Sequence, residues 1–126
     1  MDQTFPKKEK LKAKKLIDLL FEQGQSVKAY PLRLVYIETA LPYPDIPIQV
    51  GFSVPKRLHK LAVTRNRLKR LQRQAYRLNK STLHTKGTTF AVLIIYTSKE
   101  LLTLSEIEPA MIKLFKKFNE ATGTMP

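Results

Sequence analysis

The 126-residue sequence predicts one domain, a small α/β sandwich with helices packed on a mixed sheet. Three observations predict it. Two stretches, Val27 to Thr39 and Ile48 to Val54, alternate apolar and polar residues as half-covered strands do. The run Phe90 to Tyr96, FAVLIIY, is continuously β-branched or aromatic, as in a strand covered on both faces. Segments at helical spacing fall between and around these strands. A hydrophobic content of 43% is ordinary for a globular chain, and the length suffices for a core of its own.

Taken in order, residues 1 to 9 are polar and expected to fray, as are 121 to 126, leaving an ordered core over about 11 to 120. Leu11 to Gln23 reads as a short helix with Leu16, Ile17, Leu20 and Phe21 on one side. Gly24 then suits a left-handed helix-ending position. The first strand sets Tyr30, Leu32, Leu34 and Tyr36 against Pro31, Arg33 and Val35. Residues 41 to 47, LPYPDIP, hold three prolines in seven positions and can only connect. The next strand carries Ile48, Val50, Phe52 and Val54 on one face and Gln49, Gly51 and Ser53 on the other. The two are expected to form an antiparallel hairpin, the small-residue face leaving room for a ligand backbone. A helix from Ala62 to about Lys80 follows, then a polar connection, then FAVLIIY. Ser105 and Glu108 have capping-box spacing for a final helix, with Pro109 in or near its first turn. The order is α-β-β-α-β-α.

Charge carries the functional signal. Lys plus Arg number 23 against 10 acids, a net charge of +13, and no acid occurs between Asp45 and Glu100. From Gly51 to Lys80, ten of thirty residues are Lys or Arg. On a helix turning about 100° per residue, Leu61, Thr64, Leu68, Leu71, Ala75 and Leu78 fall in one arc. Asn66, Lys69, Arg70, Arg73, Arg77 and Lys80 fall nearly opposite. One face docks, and the other presents planar guanidinium forks and mobile ammonium groups that suit phosphate oxygens. A field of that sign draws polyanions, of which nucleic acid is the commonest. Helix geometry alone does not choose RNA over DNA, because a helix fits the DNA major groove but not the narrow one of A-form RNA. No helix-turn-helix, zinc-finger or coiled-coil pattern accompanies the helix, which weakens a DNA-reading role.

A side-chain active site is not in view. The chain has no cysteine, no paired carboxylates, no metal-ligand cluster, no P-loop and no GxGxxG. His59 and His84 lie in basic polar segments and are expected to be exposed or phosphate-facing. The N-terminus lacks the apolar core of a signal peptide, and the longest apolar run is too short to span a bilayer, so a cytoplasmic protein without membrane partners is expected.

At residues 50 to 77, VGFSVPKRLHKLAVTRNRLKRLQRQAYR, the sequence resembles the protein subunit of bacterial ribonuclease P. The matching types are Gly51, Phe52, Ser53, Val54, Lys56 and Arg57, then Ala62, Val63, Arg65, Asn66, Arg67, Lys69, Arg70 and Arg73. Support outside that stretch comes from LLFEQGQSV, FAVLIIY, and a last helix with Leu114 and Phe115, so the resemblance spans about residues 11 to 119. The chain departs from the family at His59, where glycine is frequent and the loop is one residue shorter, and at Ile17, commonly phenylalanine.

The resemblance implies an α+β two-layer sandwich, α-β-β-β-α-β-α, with a mixed four-stranded sheet and a left-handed crossover through the basic helix. The extra strand is expected near Lys56 to Leu61. It implies an accessory subunit of a ribonucleoprotein endonuclease, with no catalytic residue of its own. The RNA, with bound Mg²⁺, removes the 5′ leader of precursor tRNA. Lys56, Arg57, Arg65, Asn66, Arg67, Lys69, Arg70 and Arg73, with Arg77 extending the same face, would contact the catalytic RNA. Ile17, Phe21 and Tyr36 would line a leader cleft floored by Gln49, Gly51 and Ser53. The expected partners are ribonuclease P RNA and precursor tRNA, not DNA, with one copy of the protein in the holoenzyme. The alternative is a ribosomal or general structured-RNA-binding protein without a catalytic role.

Overall fold

A computed structural model describes residues 5–123; the expected fraying at 1–4 and 124–126 lies outside them. The elements are α1 (Lys14–Gln23), β1 (Gln25–Ala29), β2 (Leu32–Glu38), β3 (Ile48–Ser53), α2 (Ala62–Asn79), β4 (Phe90–Tyr96) and α3 (Leu104–Ala121). Four strands form one sheet in the order β1-β2-β4-β3. The β1–β2 and β2–β4 pairs are antiparallel, and β3–β4 is parallel, joined through α2.

The seven-element order is the expected one, but the added strand lies elsewhere. Lys56 to Leu58 form a turn, and the expected single strand from Val27 to Thr39 is two, divided at a cis Tyr30–Pro31 bond. Proline cannot donate to a ladder, so a run containing Pro31 breaks there. The expected hairpin is also not formed, because β4 lies between β2 and β3. FAVLIIY is apolar on both faces and is buried at six of its seven positions, which suits the centre of the sheet.

Side chains alternate between two cores. Leu32, Leu34 and Tyr36, Ile48 and Val50, and Phe90, Val92, Ile94 and Tyr96 face α2 and α3. There Tyr36 meets Phe118 edge-on at 5.1 Å and Tyr76 meets Phe115 at 5.8 Å. Val35, Ala91 and Leu93 face the other way, against Leu20 of α1 and Leu11. Gly24 closes α1 with extended dihedrals (φ −69°, ψ 147°), not the left-handed ones expected. A Cβ there would lie 2.3 Å from the Leu20 carbonyl oxygen and 2.7 Å from Val35 Cγ1, so glycine serves close approach.

The capping box of α3 begins two residues before the expected one, with Thr103 as N-cap and Glu106 answering its N–H. Pro109 is therefore inside the helix; the carbonyl it leaves without an N–H belongs to exposed Ser105. The docking arc of α2 is also shifted: Leu68, Gln72, Ala75 and Tyr76 are buried, whereas Leu61, outside the helix, is exposed.

The segment before α1 is packed, not frayed, from Phe5 onward. A single 3₁₀ turn spans Lys7–Glu9, Lys10 bridges Val50 in parallel, and Leu11 N–H donates to the Val50 carbonyl at 3.0 Å. Phe5 packs edge-on against Phe52 and Tyr76 at 5.8 and 5.6 Å. Lys80, expected on the solvent face, places its Nζ 3.1 Å from Glu9 Oε1, with both side chains more than four-fifths buried. This strap covers part of the otherwise open β3 edge, removing backbone groups from the risk of stray pairing.

Candidate nucleic-acid interface

The basic helix is held in place by polar ties as well as by its apolar face. At its N-terminus no side chain caps Leu61. Arg65 Nη1 instead donates to the carbonyls of His59 and Lys60, at 3.0 and 2.7 Å, and braces the loop entering the helix. His59, expected to be exposed, is buried beside the Tyr96 ring, with Nε2 2.8 Å from the Ser98 carbonyl. A carbonyl only accepts, so Nε2 carries the proton. At the other end Asn79 Nδ2 donates to Glu108 Oε2 of α3 at 2.9 Å. Buried Gln72 points its Nε2 at the Ser53 carbonyl across a long 3.5 Å contact.

Lys56, Arg57, Asn66, Arg67, Arg70 and Arg73 are exposed, and Arg65, Lys69 and Arg77 are half-buried. The fold gathers Asn66, Lys69 and Arg73, which follow one another up one side of α2, along a cleft of about 320 Å³. Its floor includes Gly51 and Phe52; Lys10, Leu11 and Lys12 form the opposite wall. None of the lining residues is acidic. Four cations around a narrow floor favour phosphate over any neutral ligand.

Of the expected floor, Gly51 alone lines this cleft. A Cβ there would lie 3.5 Å from Leu11 Cβ, so the strap takes much of the room the small residues leave. Gln49 is buried and donates from Nε2 to the Lys8 carbonyl at 3.0 Å, and Ser53 is half-exposed further along the strand. Ile17 packs half-buried in the α1 core; Phe21, one turn on, is 66% exposed. Tyr36 does not share that face. It lies in the α2–α3 core, its hydroxyl donating to Gln25 Oε1 at 3.1 Å, and Val35 and Ile37 occupy the α1 side. Strand alternation already grouped Tyr36 with Leu32 and Leu34, the drier face, which was the available signal. Lys10 and Lys12 escape the sequence reading because the helix expected from Leu11 begins only at Lys14, and Lys10 and Leu11 instead pair with Val50 in extended form.

The donor set of the cleft is ammonium, guanidinium and amide, which does not suit a hard divalent cation needing anionic oxygen ligands. Among the described residues, no cluster of three or more His, Asp or Glu side chains could hold a metal. Among the same residues no helix is long and apolar enough to cross a membrane.

Fold and site together define a small, strongly basic α+β protein with a cation-walled groove at a sheet edge. The sequence model of the ribonuclease P family matches residues 5–119. A ribonuclease P protein component of Chlorobaculum tepidum is 43% identical over 92 residues, covering 69% of this chain and 57% of that protein. One from Porphyromonas gingivalis is 35% identical over 114 residues, covering 85% and 80%. The solved RNase P protein of Thermotoga maritima has a TM-score of 0.69 at 21% identity, covering 86% of this chain and 96% of that one. That of Staphylococcus aureus also has 0.69, at 20% identity, covering 87% and 94%. The chain belongs to the ribonuclease P protein family.

Proposed function

We propose that the chain binds the catalytic RNA of ribonuclease P through the exposed face of α2 and assists removal of the 5′ leader from precursor tRNA. The observation that carries this is the acid-free cleft in which Asn66, Lys69 and Arg73 stand beside Gly51. Lys56, Arg57, Arg67 and Arg70 extend the cationic surface around the start of α2, and Arg77 follows along the helix. Arg65 would act partly from behind, since one of its nitrogens already holds the loop. The leader would pass over Gly51 and the half-exposed Ser53, with Ile17 and Phe21 of α1 above it. Single-stranded RNA is held by backbone charge and by stacking, and this surface offers both. No side chain is assigned to bond cleavage. The Mg²⁺ that the reaction calls for would be held by the RNA and its substrate, because the protein's cleft repels it. One copy of the protein would serve each RNA.

The test is reconstitution. Purified protein added to a bacterial ribonuclease P RNA should accelerate cleavage of precursor tRNA at low Mg²⁺, where the RNA alone is slow. No gain over RNA alone would sink the proposal. Equal affinity for unrelated structured RNAs, with no preference for a leader, would indicate a general RNA-binding protein instead.

A further inference from the structure

On the sheet face that α1 shares, register aligns residues in rows across the strands. Gly51, Leu93 and Val35 form one row, and Gln49, Ala91 and Ile37 another. Leu93, Val35 and Ala91 in these rows are buried beneath α1 and Leu11. The next row is Ser53, Ile95, Arg33 and Lys28. Ser53 and Ile95 are half-exposed, and Arg33 and Lys28 are exposed. Three interstrand steps make this row about 14 Å long. It starts two residues beyond Gly51 and ends at the β1–β2 turn.

At that turn Tyr30 is 70% exposed. Its ring is anchored, because the hydroxyl shares a 2.8 Å hydrogen bond with Ser98 Oγ. Two clefts meet at it. One, of about 300 Å³, is lined by Lys28, Leu32, Arg33 and Thr97. The other, of about 400 Å³, lies against α3 and is lined by Glu106, Pro109, Lys113 and Lys117. Lys117 Nζ donates to the Lys28 carbonyl and ties the two walls together. The one acid, Glu106, is engaged by Thr103 in the helix cap. An anchored aromatic with a free face and cations on both sides is the combination that holds single-stranded nucleic acid: the ring takes a base and the cations take its phosphates.

We propose that Tyr30 is a stacking platform for a second stretch of single-stranded RNA, at the β1 edge of the sheet, opposite β3. Lys28, Arg33, Lys113 and Lys117 neutralise the flanking phosphates. This rests on the leader-binding role above: the strand is the leader upstream of the part near Gly51, carried across by the Ser53–Lys28 row.

Holoenzyme affinity for precursor tRNAs with stepwise longer leaders tests it. The unmodified protein should gain affinity again when the leader grows long enough to reach Tyr30. Tyr30→Ala should abolish that second gain, a loss of roughly fivefold or more on long leaders, with short leaders unchanged. Tyr30→Phe, which keeps the stacking face, should retain it. Lys28→Ala combined with Lys113→Ala, both outside the core, should reduce the salt dependence of binding for long leaders only. If Tyr30→Ala binds long and short leaders as the unmodified protein does, or weakens both equally, the platform is refuted while the leader-binding role stands. If the unmodified holoenzyme gains nothing from any leader, both fall.

Discussion

Of the four glycines, Gly24, where α1 turns into β1, is the one at which an added Cβ would meet its neighbours most closely, and Gly24→Ala should be costly. A Cβ would sit 2.3 Å from the Leu20 carbonyl oxygen and 2.7 Å from Val35 Cγ1. The carbonyl it strikes accepts the Gly24 N–H at 2.9 Å, the bond that closes the helix. Leu20 is also 1% exposed and is the side chain that docks α1 on the sheet. The carbonyl cannot yield without moving the helix, and buried Val35 has little room to turn away. Overpacking of this kind costs about 1–3 kcal/mol, and disturbing the closing hydrogen bond adds about 1. Restricting the unfolded chain returns about 0.4–1 kcal/mol. The net is a destabilisation of about 2–3 kcal/mol, a large share of a total near 5–15. Urea unfolding followed by far-ultraviolet circular dichroism should show the midpoint lowered by roughly 1–2 M at unchanged slope. Gly51→Ala is the internal control. Its Cβ would meet the end of the Leu93 side chain at 3.3 Å and Leu11 at 3.5 Å, contacts that can give, so its cost should stay within about 0.5 kcal/mol. A Gly24→Ala protein as stable as the control would refute the close-approach argument.

Arg70→Ala should weaken binding to ribonuclease P RNA and reduce the magnitude of the salt slope by about 0.7–0.9; a titration across salt concentrations with an unchanged slope would place Arg70 off the RNA. Phe21→Ala, at an exposed position, should weaken leader-bearing substrates more than mature tRNA with little change in stability, whereas equal effects would leave Phe21 no part in leader binding. Burial, assisted by the charge of Glu9, holds the Tyr76 phenol protonated well above the ordinary tyrosine range. Its contribution to stability is therefore complete below the unfolded value near 10 and is lost as pH rises past it, when the unfolded state gives up its proton. Tyr76→Phe should flatten the alkaline limb of stability against pH, measured by urea midpoints from pH 8 to 11; an identical limb would mean Tyr76 does not govern it.

Much of the candidate interface was legible in order of residue type. The acid-free run through α2 and its amphipathic spacing placed Asn66, Lys69 and Arg73 on one side of a helix, and the fold keeps them there. FAVLIIY predicted its own span and its coverage on both faces. Pairing was less legible. Sequence neighbours β2 and β3 have the composition of a hairpin, yet β4, more than thirty residues on, separates them. Pro31 marked the break between β1 and β2, but alternation on both sides of it concealed two strands as one.

What the sequence determines by itself is therefore what local physics controls: which segments are helical or extended, which face of each is apolar, and the sign of the field around α2. Those follow from side-chain periodicity and charge, which need no distant partner. The tertiary structure decides which faces meet. It turns Tyr36 into the core, buries His59 against Ser98, and pairs Lys80 with Glu9. It also lays the lysine-rich strap along β3 to make the second wall of the cleft. Each of these joins residues dozens of positions apart, where the gain from burying a ring, an ion pair or a strand edge outweighs the local preference for solvent.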